Sequence, residues 1–309
     1  MNNIKFGGLC SPKYDEIKSE LKEKFPIFFD FFTDNRWDLL IYLIKLALVE
    51  DGEDLTSNGI FGDEDYTSAY IVAKEDCIAS CLPLVDIILK CLSNKNKVTY
   101  FVLDSEKIKK NTKLVEIYGR TKEILKAERI ILNFLGHTFG VATYTKQYVD
   151  KLAKSKIKVL DTRKTTPGMR YLDKYSVLMG GGSNHRMDLS HMLMIKDNHI
   201  DRAGSITKAV KLLQEKYKDK CPPIIVECRN IEEVKEASSL KIKRILLDNM
   251  TPQDVKNCLK YIPDHIEVEV SGGITLKNIS NFSHLTINYI SVGALTKNAP
   301  CIDLSMRIL

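Results

Sequence analysis

The sequence predicts a two-part α/β protein: an α+β domain followed by an α/β barrel of about seven parallel strands. Two observations carry this. Beyond residue 126, short apolar runs alternate with helical stretches, the signature of a parallel sheet. Nearly every run also ends in a polar or glycine-rich cluster, as expected where parallel strands open on one catalytic face. A chain of 309 residues, 44% hydrophobic and 28% charged, is long enough for a large core.

The first 35 residues are polar and lysine-rich, with Pro12, Pro26 and an FPIFFDFF run, and read as an N-terminal helix or extension. From Arg36 to Glu50, apolar residues at 39, 40, 43, 46 and 48 or 49 fit one face of a helix. Asp51 to Gly62 is turn-like. Ser68 to Ala73 and Lys97 to Leu103 are strand-length runs of β-branched and aromatic residues, separated by an apolar helical stretch, Cys81 to Leu92. An amphipathic segment, Thr121 to Phe134, leads out of this α+β region. The expected division is an extension over 1–35, an α+β domain over 36–126 and a barrel over 127–309, whose C-terminal segment is free to pack back on the first domain.

The barrel strands are assigned to KIKVL (156–160), YSVLMG (175–180), MLMIK (192–196), IIVE (224–227), RILLD (244–248), IEVEV (266–270) and YISVG (289–293). Helices lie between them. Gly204 to Tyr217 is one; Asn230 to Leu240 is another, with Asn230 and Glu233 spaced as a capping box; Thr251 to Tyr261 is a third, with Pro252 at its first position. A short helix is expected after Thr275.

The strand ends bring together a chemically coherent set. Arg163, His185, Arg186 and Lys196 suit an anionic substrate, while Glu227 and Asp248 beside phosphates imply hydroxyl recognition or a divalent ion, Mg²⁺ by its preference for oxygen ligands. Glycines at 272, 273 and 293 let backbone N–H groups approach phosphate oxygens. Each feature alone has a plainer reading: an Arg-Lys pair as a solvated loop, a histidine as a structural hydrogen-bonding group, a Gly pair as a turn, two acids as surface carboxylates. Their coincidence at successive strand ends is what favours a site for phosphate plus an acidic small molecule.

Other classes are disfavoured. Eight cysteines are scattered without a C-x-x-C pair, so they read as reduced and mostly buried thiols rather than disulfide or zinc ligands. The net charge of +6 is mixed along the chain, without the basic stripe of a nucleic-acid binder. No apolar stretch has membrane-spanning length and the N-terminus lacks a signal-peptide pattern, so the expected location is cytoplasmic, with no membrane partner.

The stretch DTRKTTPGMRYLDKYSVLMGGGSNHRMDLSHMLMIKDNHI (161–200) resembles the central signature of the quinolinate phosphoribosyltransferases, the decarboxylating nicotinate-nucleotide pyrophosphorylases. The likeness continues in AERIILNFLGHTFGVAT (127–143), VECRNIEEVKEA (226–237), ILLDN (245–249), EVSGGIT (269–275) and YISVGALTKNAPCIDLSM (289–306), more weakly in ALVEDGEDLTS (47–57), and covers roughly 40 to 309. It implies an open-faced α+β sandwich followed by an incomplete TIM-like barrel. It implies that Arg163, His185, Arg186 and Lys196 surround quinolinate and the phosphoribosyl donor, with Arg129 supplied by the neighbouring subunit of a homodimer. Lys164 would face the diphosphate. Glu227 and Asp248 would hold the ribose hydroxyls and, directly or indirectly, Mg²⁺, while Ser271, Gly272, Gly273 and Gly293 would bind the 5′-phosphate.

The implied reaction joins quinolinate to phosphoribosyl pyrophosphate (PRPP), releasing pyrophosphate and CO₂ and giving nicotinate mononucleotide for NAD. Thr138-Phe139-Gly140 and Cys228 depart from the family pattern at positions that are not proposed ligands. Two alternatives remain: a related transferase for another acidic heteroaromatic, and a non-catalytic phosphate-binding barrel. Five cationic or polar groups favour a dicarboxylate over the first, and the retained acids argue against the second.

Overall fold

The computed structural model describes residues 9–309. In chain order the elements are α1 (Tyr14–Leu21), α2 (Pro26–Phe31), α3 (Asp34–Glu50), α4 (Leu55–Ile60), β1 (Tyr66–Ala73), β2 (Cys77–Ile78) and α5 (Leu84–Leu92). Next come β3 (Lys97–Tyr100), β4 (Lys107–Ile108), β5 (Lys113–Arg120), α6 (Thr121–Lys151), β6 (Lys158–Leu160), α7 (Arg170–Met179) and β7 (Leu193–Ile195). The chain continues through α8 (Asp197–Ala203), α9 (Ile206–Tyr217), β8 (Ile224–Cys228), α10 (Ile231–Ser238), β9 (Arg244–Asp248) and α11 (Pro252–Leu259). It ends with β10 (Glu267–Ser271), β11 (Tyr289–Ser291), α12 (Ala294–Lys297) and β12 (Leu304–Ile308). No described helix is long and apolar enough to cross a membrane.

Two compact units result. Among the described residues the first comprises 9–144, 166–181 and 299–309, and the second 145–165 and 182–298. The division expected near residue 126 lies inside α6, whose residues up to Tyr144 count with the first unit.

The first unit is built on a four-stranded antiparallel sheet, β12-β1-β5-β3. The C-terminal segment does return here, with Ala69 to Ala73 paired against Leu304 to Ile308. Of the two readings of the FPIFFDFF run, helix or extension, the helix holds: it forms α2 and its flanks. Phe28, Phe29 and Phe32 are fully buried, and Phe28 meets Tyr175 edge-on at 5.4 Å between ring centroids. So many aromatic side chains carry too much apolar area to remain in water. Phe139, one of the departures from the family pattern, is also fully buried, and a Cβ at Gly140 would meet the Pro300 carbonyl.

A half-buried carboxylate beside a buried tyrosine in this unit sets a pH dependence. The Tyr175 hydroxyl donates to Asp104 Oδ2 at 2.6 Å and the Leu82 N–H to Oδ1 at 3.0 Å, yet burial outweighs both and pushes the Asp104 carboxyl up to about 6. Because the folded-state value is raised, the stabilisation is complete below the ordinary carboxylate range and is lost as pH rises through about 6. Urea unfolding of wild type against Asp104→Asn between pH 4 and 7 should show the wild type losing ground by about 1–3 kcal/mol across that window. A difference independent of pH would refute this account.

The second unit is a six-stranded, wholly parallel sheet, β6-β11-β10-β9-β8-β7. The expected seventh strand, YSVLMG, is instead the end of α7, which counts with the first unit. A short apolar run fits either element, and here it continues a ten-residue helix with seven of its last eight side chains buried, closed at Gly180. The strand's place beside β6 is taken by Ser183, which makes a single parallel bridge to Leu160. The sheet is therefore an incomplete barrel.

Local chemistry explains the helices between strands. Gly204, at φ 93°, ends α8 instead of starting α9, which is capped by Ser205. Thr251 and Asp254 form a reciprocal capping box behind Pro252. Asn230 accepts from the Glu233 N–H, but Glu233 reaches the Arg229 N–H rather than that of Asn230, so α10 has a cap without the box. After Thr275 the expected short helix is a 3₁₀ turn, Ile279–Phe282.

Candidate active site

Side chains alternate across a strand, and parallel strands share one C-terminal end, so the last inward residue of each strand reaches a common cup. In the second unit this cup has a volume of 440 Å³. Its wall carries Arg163 and Lys164 from the end of β6, His185 and Arg186 beyond Ser183, and Lys196 at the end of β7. Glu227 of β8, Asp248 of β9, and Ser271, Gly272 and Gly273 at the end of β10 complete it.

The cations are arranged for anions rather than for one another. Arg186 is 6% exposed; burial, then the neighbouring Arg163 guanidinium, lower its pKa from the ordinary value. Its Nη1 donates to the Met192 carbonyl at 3.0 Å, which aims the rest of the fork into the cup. Lys196 Nζ lies 3.2 Å from Glu227 Oε2, and the lysine side chain remains 45% exposed. Asp248 Oδ2 accepts from Asn249 Nδ2 at 2.8 Å and makes no ion pair among the described residues, leaving acceptor capacity toward the cup.

The glycine turn is built for close backbone approach. Gly272 and Gly273 have φ of 88° and 63°, and a Cβ on Gly272 would lie 2.7 Å from the Asn249 backbone nitrogen. Successive residues of this kind present N–H groups to an anion. Gly293 is not in the cup lining; a Cβ there would lie 2.9 Å from Lys164 Cδ, so its bareness makes room for the lysine stem. Lys164 is also held through its carbonyl, which accepts from Thr296 Oγ1 at 2.8 Å.

Arg129 lies outside this cup. It is an exposed residue of α6 in the first unit, lining a separate depression with Glu50, Asp51 and Asn133. Thr162 and Asn249 belong to the polar strand-end clusters, but Met194, Leu246, Glu269 and Ser291 also line the cup without having been singled out from the sequence. Of these Glu269 left a readable signal, a carboxylate between two valines in the middle of a strand run, where burial demands a partner. Met194 and Leu246 left none, because apolar strand residues are ordinary core.

Residues 54–139 match the family profile described as Quinolinate phosphoribosyl transferase, N-terminal domain, and 141–307 match its C-terminal domain. The chain is 38% identical over 286 residues to the chloroplastic nicotinate-nucleotide pyrophosphorylase (carboxylating) of Arabidopsis thaliana, covering 86% of this chain and 82% of that protein. It is 37% identical over 255 residues to the probable nicotinate-nucleotide pyrophosphorylase (carboxylating) of Bacillus subtilis, covering 82% and 88%. The crystal structure of NadC from Streptococcus pyogenes superposes with a TM-score of 0.85 at 33% identity, over 90% of this chain and 99% of that one. With both family domains matched in order along a cup of this composition, the chain belongs to the quinolinate phosphoribosyltransferase family.

Proposed function

We propose that the cup transfers the phosphoribosyl group of PRPP to quinolinate with decarboxylation, giving nicotinate mononucleotide, pyrophosphate and CO₂ in the synthesis of NAD. The observation that carries this reading is the pairing of Arg163 and Arg186, two guanidinium groups brought close enough to repel while lining one cavity. Adjacent carboxylates on a pyridine ring are the natural counter-charge for such a pair.

In this reading Arg163, His185, Arg186 and Lys196 hold the dicarboxylate and aim the ring nitrogen at the ribose C1. The Ser271-Gly272-Gly273 turn receives the 5′-phosphate, Lys164 the diphosphate, and Glu227 and Asp248 the ribose hydroxyls. Rate enhancement comes from alignment and from stabilising the departing pyrophosphate rather than from a protein nucleophile. Once the nitrogen is quaternised, the ring accepts the electron pair left by CO₂, and C2 then takes a proton from solvent.

Glu227 and Asp248 also suit Mg²⁺, which binds through one or two carboxylates together with substrate phosphates rather than in an all-protein cage. No cluster of three or more His, Cys, Asp or Glu capable of holding a metal occurs among the described residues, and Asp248 has an oxygen to offer. Bound there, the ion would neutralise charge on the leaving pyrophosphate. We place the enzyme in the cytoplasm, a compartment checked by cell fractionation.

The purified chain with quinolinate, PRPP and Mg²⁺ should release pyrophosphate and CO₂ with stoichiometric nicotinate mononucleotide. No product across a range of pH and metal sinks the reading. Turnover of nicotinate in place of quinolinate favours the related transferase instead.

A second copy of the chain completes the site in this reading, since the exposed Arg129 is absent from the cup. Inactive Arg129→Ala and inactive Lys196→Ala proteins, mixed and allowed to exchange subunits, should regain up to about a quarter of wild-type activity from hybrid dimers. Verified exchange without recovery would count against a shared site.

A further inference from the structure

We propose that Glu269 is a positioning residue of the cup, acting through the His185 ring on the backbone of Arg186; the inference rests on the quinolinate reading. Glu269 is fully buried in the middle of β10, between the buried Val268 and Val270. A carboxylate in that position is strongly unfavourable unless paired and hydrogen-bonded. Two donors hydrogen-bond it, and the His185 ring stands within ion-pair reach. Arg244 Nη1 lies 2.8 Å from Oε2, His185 Nε2 lies 3.3 Å from the same oxygen, and Ser291 Oγ donates to Oε1 at 2.5 Å.

Arg244 is itself anchored. Its guanidinium also reaches Glu267 at 2.9 Å and lies 3.9 Å over the Tyr289 ring, and Lys243 pairs with Glu267 at 3.1 Å. Lys243, Glu267, Arg244 and Glu269 thus alternate in charge along β9 and β10 and end on the His185 ring. Burial works to raise the Glu269 pKa, but His185, Ser291 and Arg244 together hold it below the ordinary carboxylate value.

The other side of the histidine faces the substrate machinery. His185 Nδ1 accepts the Arg186 N–H at 2.7 Å, and the His185 N–H donates to the buried Asp161 at 2.9 Å. With Nδ1 used as an acceptor, a neutral ring carries its proton on Nε2, the nitrogen 3.3 Å from Glu269 Oε2. The ring is therefore a strut between a fixed anion and the amide of Arg186, whose guanidinium lines the cup. Rotating it would break both contacts.

A glutamine at 269 has nearly the same volume but no charge, and only one acceptor oxygen for Arg244, Ser291 and the adjacent His185 ring. Its NH₂ would oppose either Arg244 or the His185 N–H, so the strand survives while the strut is released. Glu269→Gln should lower kcat/KM for quinolinate by about tenfold or more through KM, while KM for PRPP moves less than about twofold. In a His185→Ala background the same substitution should add less than about twofold, because the two residues act as one unit. Wild-type kinetics in Glu269→Gln, or an equal loss in both backgrounds, overturns the proposal.

Should Glu269→Gln fail to fold, Ser291→Ala removes one of the two hydrogen-bond donors and leaves the ion pair with Arg244. It should raise the quinolinate KM by about twofold to fivefold, and an unchanged KM overturns the proposal equally. The wild-type assay separates the two levels: no product sinks the functional reading and this inference with it, whereas product with unmoved variants sinks the inference alone.

Discussion

Gly272→Ala is expected to lower kcat/KM for PRPP by about a hundredfold or more and to destabilise the second unit. Two costs combine at this position. The backbone has φ of 88°, where a side chain costs about 1–2 kcal/mol, and the added Cβ would lie 2.7 Å from the Asn249 backbone nitrogen. That nitrogen cannot move aside freely, because Asn249 N–H donates to the Ser271 carbonyl at 2.9 Å, tying the turn after β9 to the end of β10. Relief must therefore come from displacing the turn proposed to receive the 5′-phosphate. Gly273→Ala is the control. Its φ is 63° but no atom lies within 4 Å of the added Cβ, so only the conformational cost of about 1 kcal/mol remains. Steady-state kinetics in PRPP and thermal melts of both variants check the contrast, and equal behaviour would remove the argument from close approach.

Arg163→Ala should lower kcat/KM for quinolinate by about 10²–10³-fold, the second large effect. Removing one partner from a desolvated charge recognition costs about 2–5 kcal/mol, and the substrate carboxylate is left facing a gap. Arg163→Lys should restore only part of this, since an ammonium lacks the two-pronged fork. The unliganded protein should respond differently: burial and Arg163 both disfavour the charged Arg186, so removing Arg163 relieves repulsion and leaves the melting temperature unchanged or slightly higher. Quinolinate should raise the melting temperature of wild type far more than that of the variant. A variant with wild-type kinetics would show that these guanidinium groups do not form the dicarboxylate site.

Much of the cup was legible because parallel strands gather their ends. The clusters after KIKVL, MLMIK, IIVE, RILLD and IEVEV bring Arg163, Lys164, Lys196, Glu227, Asp248, Ser271, Gly272 and Gly273 to one cavity, as periodicity and strand order implied. YSVLMG reads as a strand and is a helix end, because a six-residue, mostly apolar run does not separate the two. For the N-terminal aromatic run the sequence leaves helix or extension open, because nothing in a local window says what a phenylalanine will pack against; Tyr175, its partner, lies far along the chain.

By itself the sequence determined the alternation of strands and helices, the family, and the identities of the cations and acids at the strand ends, since these depend on local pattern and on residue type. Only the tertiary structure decided which acid faces what. Glu227 meets Lys196, Asp248 keeps an oxygen toward the cup, and Glu269 turns inward to Arg244 and His185. It also placed Arg129 outside the cup and gave Gly293 the task of clearing space for Lys164. The reason is physical. Hydrophobic periodicity is a property of neighbours in the chain, whereas a charge is satisfied by whatever donor the fold brings within about 3 Å, and that partner is set by register and closure of the sheet.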